Sequence, residues 1–257
     1  MNTGEEKKKM RVIMVMFESL NRNMLNPYGG NLAATPNFNR LAEHSVTFDN
    51  CYAGSLPCMP ARRELHTGRY NFLHRSWGPL EPFDDSMPEL LKKAGIHTHL
   101  STDHHHYFAD GGATYHPRYS TWEGFRGQVG DAWVGKYGAD ESGFAPVMLN
   151  PEHQPEKLQA MRKPMGWQNL SNRTRRKGEA EYSQTLTFDG GISFIKNNLD
   201  EDRWFVQIEC FDPHEPFDAP EEFLKPWFHE DFTYDWPPYA AVEESQEMID
   251  QMRRKYY

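Results

Sequence analysis

Arg11-Val12-Ile13-Met14-Val15-Met16-Phe17 is the stretch that decides the fold. Between Arg11 and Glu18 the apolar residues follow one another without a polar break. That is the pattern of a strand covered on both faces of a sheet, because a strand with one wet face alternates apolar and polar side chains. Strand-like runs recur at 46–52, 97–101 and 204–210. Helical signals lie between them. Pro36 after Thr35 opens a helix that reaches His44 with Leu41 and Ala42 on its apolar side, and Ser86-Met87-Pro88 opens another that Gly95 stops after Ala94. The alternation predicts an α/β fold, a sheet layered by helices. Residues 109–177 are rich in Gly, Pro, Trp and Arg without clean periodicity and read as long substrate-proximal loops, too aromatic for disorder. Residues 179–199 read as a helix broken near Gly190-Gly191, and 242–257 as a polar helix.

The chain has 257 residues, enough to bury a sizeable core, and a formal charge of −9. That balance argues against a general nucleic-acid binder, which needs a clustered cationic face. Residues 1–10 form a charged tail that leads straight into the first apolar run, with no cleavable hydrophobic region. No stretch is long enough to span a membrane. Three cysteines, Cys51, Cys58 and Cys210, suggest no disulfide framework, so a reducing, cytoplasmic setting is expected.

Chemistry concentrates in Cys58-Met59-Pro60-Ala61-Arg62, followed by Arg63-Glu64-Leu65-His66-Thr67-Gly68-Arg69. Proline suits the first turn of a helix, so Pro60 predicts one that begins near Cys58 and runs through Leu65. Unpaired N–H groups and the positive end of the helix dipole would then surround residue 58 and favour an oxyanion or a thiolate. Arg62, one turn on, could return its guanidinium to the same place. The five residues alone equally describe a small apolar cysteine beside a surface arginine. The longer run resembles the sulfatase signature: Leu65, Thr67 and Gly68 match, while Met59 stands where a small residue is usual and His66 where an apolar one is. The resemblance implies that a maturation enzyme oxidises Cys58 to Cα-formylglycine, whose hydrated aldehyde attacks the sulfur of a sulfate ester.

Other candidates follow the apolar runs, where open α/β sheets bind ligands. Glu18-Ser19 stand where sulfatases usually carry two aspartates for a divalent cation. The implied cation is Ca2+, with Mg2+ or Mn2+ as alternatives, held by Glu18, Ser19 and the residue made from Cys58. A helix-capping pair is the ordinary reading of Glu18-Ser19. The segment Thr98-His99-Leu100-Ser101-Thr102-Asp103-His104-His105-His106-Tyr107 resembles the one that presents a Lys-x-His pair to sulfate, with Asp103 at the lysine and His105 at the histidine. Asp103 and His104 are thereby assigned to substrate contact and His105 to the base that collapses the sulfate ester. A zinc or nickel site built from His104 and His106 is the competing reading. Asp212-Pro213-His214-Glu215-Pro216-Phe217 resembles the Pro-His-x-Pro turn, which implies that His214 protonates the leaving alcohol. Arg126, with Arg118, Trp122 and Trp133, could face a sugar or an aromatic alcohol, against an ordinary role in loop packing.

The resemblance covers residues 11–216 and implies an alkaline-phosphatase-like α/β/α sandwich with a mostly parallel central sheet. Nothing after Pro216 resembles the family's further metal ligands, second lysine or smaller C-terminal subdomain. Residues 11–257 are therefore expected to be the N-terminal part of a catalytic domain, completed by a second chain or a missing C-terminal half. The implied activity is hydrolysis of a sulfate monoester on a small molecule or glycan. A phosphonate or phosphate-ester hydrolase of the same superfamily and a non-catalytic remnant are the alternatives, the latter supported by Ser19, Asp103 and the absent ligands.

Overall fold

The computed structural model describes residues 10–31, 33–136, 156–224 and 246. They form two compact units, one made of 10–16, 53–125 and 184–210 and the other of the remainder.

The first unit is built on a sheet. Strands β1 (Arg11–Phe17), β2 (His97–Thr102), β3 (Thr121–Gly124) and β4 (Trp204–Cys210) lie in the order β1-β4-β2-β3. β2 runs parallel to both neighbours, with Leu100 opposite Gln207 and Thr102 opposite Glu209 and Gly124. β4 is buried at every residue, as an apolar central strand of a parallel sheet should be. β1 departs from expectation. It forms where the sequence places it, yet it is an edge among the described residues, and Val12, Ile13 and Val15 remain 45, 51 and 45 % exposed.

Helix α2 (Cys58–Thr67) begins where Pro60 predicts and runs two residues past the expected Leu65, and α3 (Met87–Lys93) begins and ends where Pro88 and Gly95 predict. Gly68 closes α2 in the left-handed conformation, its N–H donating to the Glu64 carbonyl. The core of this unit joins Met59, Leu80, Leu100, Tyr107, Tyr115, Tyr119 and Phe205. Met59 thus occupies its unusual place in the signature as a wholly buried core residue.

Helix α1 (Pro36–Ala42) forms as expected, but Leu41 is exposed, and residues 46–52 make no strand, with Val46, Phe48 and Tyr52 all exposed. The expectation of loops across 109–177 also needs correction: β3 and an 18-residue helix, α4 (Glu156–Arg173), lie within it. Pro164 and Gly166 masked that helix, since both oppose helical continuation. In the second unit its C-terminal half is anchored by Trp167 and Leu170, which join Met165 against the core pair Val129 and Phe211. Amides add to this: Asn172 donates to the carbonyls of Val129 and Asp131, and Gln168 to that of Val134.

Helix α5 (Ser183–Asn197) runs unbroken through Gly190-Gly191. A Cβ at Gly190 would stand 2.8 Å from Ser101 Oγ, and one at Gly191 2.4 Å from Cγ1 and Cδ1 of Ile208. The glycines bring helix and sheet close instead of breaking the helix, and the Ser101 hydroxyl donates to the Thr187 carbonyl across that contact. No helix among the described residues is long and apolar enough to cross a membrane. The helix expected over 242–257 falls outside the described residues, Gln246 excepted.

Candidate active site

In the first unit, Cys58 is the first residue of α2, buried, with Pro60 on the same turn. The residues expected to line an anion site at a helix start are therefore at a helix start. Arg62 lies one turn on and is 5 % exposed. Its guanidinium does not stand open toward residue 58. Nε and one terminal nitrogen each lie 2.9 Å from Glu209 Oε1, and the other terminal nitrogen donates to the Cys58 carbonyl at 3.3 Å. Glu209 is wholly buried on β4. The sequence signal for this pair is a carboxylate inside a mostly apolar buried run, where a charge persists only if paired.

Asp103 and His104, at the end of β2, are wholly buried. The Asp103 N–H donates to the Glu209 carbonyl, so the register of β2 and β4 fixes where this segment leaves the sheet. His105 opens a 3-10 turn, His105–Phe108, and its ring lies 4.0 Å from that of His106 and 6.3 Å from that of His104, centroid to centroid. Tyr107 is buried beneath them, its hydroxyl 2.9 Å from Glu209 Oε2.

In the second unit, Glu18 and Ser19 follow β1 directly. Ser19 has φ 58°, a left-handed backbone that residues other than glycine seldom adopt and that clusters at functional sites. His214 packs on Phe211 with ring centroids 4.4 Å apart, and its Nδ1 lies 2.8 Å from the Glu215 carbonyl. A carbonyl only accepts, so Nδ1 carries the proton and Nε2 is left for another partner. A ligand atom of Glu18 comes within 4.8 Å of one of His214. The loop around His214 is braced at both ends: Gln128 donates to Asp212 at 2.7 Å, and Asp218 receives Arg173, Arg176 and Asn169 from α4 and its C-terminal extension.

Arg126 is held by its own loop. Nε and a terminal nitrogen meet the two Asp131 oxygens at 2.7 and 2.6 Å, and this pairing raises its pKa above the ordinary arginine value. Of the residues expected at the site, Cys58 and Arg62 share a helix turn and Glu18 and His214 approach one another, whereas both arginines are committed to carboxylates.

A sulfatase family model matches residues 11–257, past the Pro216 at which the sequence resemblance was expected to stop, and the chain belongs to the sulfatase family. It has the α/β fold of the alkaline-phosphatase superfamily. It is 33 % identical over 97 residues to an N-acetylglucosamine-6-O-sulfatase of Bacteroides thetaiotaomicron, covering 37 % of this chain and 17 % of that protein. It is 25 % identical over 256 residues to a choline-sulfatase of Rhizobium meliloti, covering 94 % of this chain and 44 % of that protein. Among solved structures, a phosphonate monoester hydrolase of Agrobacterium radiobacter superposes with a TM-score of 0.60 at 17 % identity, covering 96 % of this chain and 56 % of that one. The chain spans less than half the length of these curated relatives.

Proposed function

We propose that the protein of which this chain is all or part hydrolyses a sulfate monoester on a small molecule or glycan, using residue 58. The observation that carries this reading is Cys58 at the first position of α2, inside the signature run and the family match. A formylglycine at 58, made by a maturation enzyme, would supply a geminal diol as nucleophile toward sulfur. The start of α2 favours negative charge beside it through the positive end of the helix dipole. His214, once doubly protonated with Nδ1–H still on the Glu215 carbonyl, would pass its Nε2 proton to the departing alcohol. His105 is the candidate base for release of sulfate.

A divalent cation fits the second unit in kind: Glu18 offers a carboxylate, Ser19 a hydroxyl on a strained backbone, and His214 an imidazole within 4.8 Å of Glu18. Glu18 and Ser19 would hold Ca2+, Mg2+ or Mn2+ with residue 58, and the cation would supply charge for the ester oxygens. Asp103 and His104 are the remaining candidates for substrate contact, together with Arg126 through the face its Asp131 pairing leaves open. No disulfide joins Cys51, Cys58 and Cys210, which is compatible with the reducing, cytoplasmic setting expected.

The test is mass spectrometry of the peptide holding Cys58 after co-expression with a maturation enzyme. Replacement of the thiol by an aldehyde is expected, and persistent thiol overturns the mechanism. Turnover of an aryl sulfate ahead of a phosphonate ester and a phosphate diester would separate this reading from its superfamily alternative, and turnover of none would favour a remnant.

A further inference from the structure

Glu209 receives only donors. Oε1 faces two nitrogens of Arg62, and Oε2 accepts the Tyr107 hydroxyl at 2.9 Å and the Gln207 amide at 2.7 Å. A carboxylate has about four acceptor positions, and three of them take hydrogen bonds here while a second Arg62 nitrogen lies in ion-pair range. Gln207 is itself oriented, because its Oε1 accepts the Tyr119 hydroxyl at 2.6 Å, which leaves its NH2 for Glu209. Burial holds both tyrosines well above their ordinary pKa, with Glu209 adding to the effect, so they remain donors. A buried carboxylate with one cation and two neutral donors is a costly group to place in a core. Its partners explain the placement. Arg62 belongs to the turn of α2 that starts at Cys58, Tyr107 belongs to the turn that starts at His105, and both reach the same side chain on β4.

We propose that Glu209 is a positioning residue that locks the Cys58 helix and the His105 turn to one strand and fixes their mutual geometry, with Arg62 acting through it rather than as a free cation toward substrate. The role of the two locked residues rests on the sulfate-ester reading above; the lock itself does not. Oε1 governs the helix, through Arg62 and its bond to the Cys58 carbonyl. Oε2 governs the turn, through Tyr107. The two arms are separable, which a residue that merely filled core space would not make them.

Hydrogen exchange read by mass spectrometry on the full chain tests this without turnover. Glu209→Gln should accelerate exchange by at least about tenfold, the equivalent of one hydrogen bond to a charged group, in both 58–62 and 104–108 while α5 stays protected. Tyr107→Phe should loosen 104–108 alone and Arg62→Gln 58–62 alone. If Glu209→Gln fails to fold, these two single-arm variants still decide. Uniform acceleration in every segment, or the same pattern from both arms, overturns the proposal. In the matured enzyme, Tyr107→Phe should lower kcat by about tenfold at unchanged KM, since misplacement acts on the reacting geometry; a change in KM alone would overturn it. An aldehyde-free Cys58 peptide would remove the sulfate-ester reading and leave the exchange result standing.

Discussion

His66 lies wholly inside the first unit, its Nδ1 3.0 Å from the Ser86 hydroxyl and its ring edge-on to Tyr115 and Tyr119. Burial, then the charges of Arg118 and Arg62, push its pKa down to about 3 from 6.5. The folded chain therefore keeps His66 neutral where the unfolded chain would already bind a proton. Its contribution to stability is complete above pH 6.5 and is lost as the pH falls toward 3. His99, pushed down to about 4 by burial and then by His97, acts with the same sign. His66→Leu is expected to lower the melting temperature at pH 7, because the buried Ser86 hydroxyl loses its partner at about 1–3 kcal/mol. It should also flatten the fall between pH 6.5 and 4, so the two melting curves converge. Parallel curves would show that His66 does not titrate on unfolding. At this scale the sequence was informative about type and poor about partners. Arg126 and Asp131 are five residues apart, close enough to read as a local pair, whereas Arg62 and Glu209 are separated by 147 positions. No local pattern announces the second pair, because only the packing of α2 against β4 brings it together.

Among the elements, the start of α2 was readable from Pro60, whose backbone preference is local, while its end at Thr67 before Gly68, two residues past the expected Leu65, was not. α4 was not legible, and α5 was legible as a helix but with a break that it lacks, because Pro164, Gly166, Gly190 and Gly191 oppose helix locally while tertiary contacts favour it. Residues 46–52 failed in the other direction: β propensity without a neighbouring strand makes no strand. The glycine pair in α5 makes the distinction testable. At an exposed helical position, Gly→Ala would stabilise by about 1 kcal/mol. At residue 191 the added carbon would press on Ile208, which is buried in β4 and cannot swing aside. Gly191→Ala should therefore destabilise by about 1–3 kcal/mol, seen as a lower urea midpoint at unchanged slope. A midpoint at or above the parent's would mean that the helix stands off the sheet.

For the whole molecule, the α/β class, strands β1, β2 and β4 and the family were legible because apolar runs and the Cys58 signature are dense signals over short distances. The covering of the sheet was not. A continuous apolar run announces burial but not by what, and β1 carries such a run with Val12, Ile13 and Val15 left outward. That side of the sheet has a consequence for handling the protein. Among the described residues β1 is an apolar edge and so a template for another strand, and copies of the 257-residue chain should stick to one another through it. Light scattering across a concentration series should show a mass that grows with concentration, and Ile13→Lys, which plants a charge on that edge, should hold the chain to a single copy. A constant monomer mass in the parent chain would mean that something already shields β1 in solution.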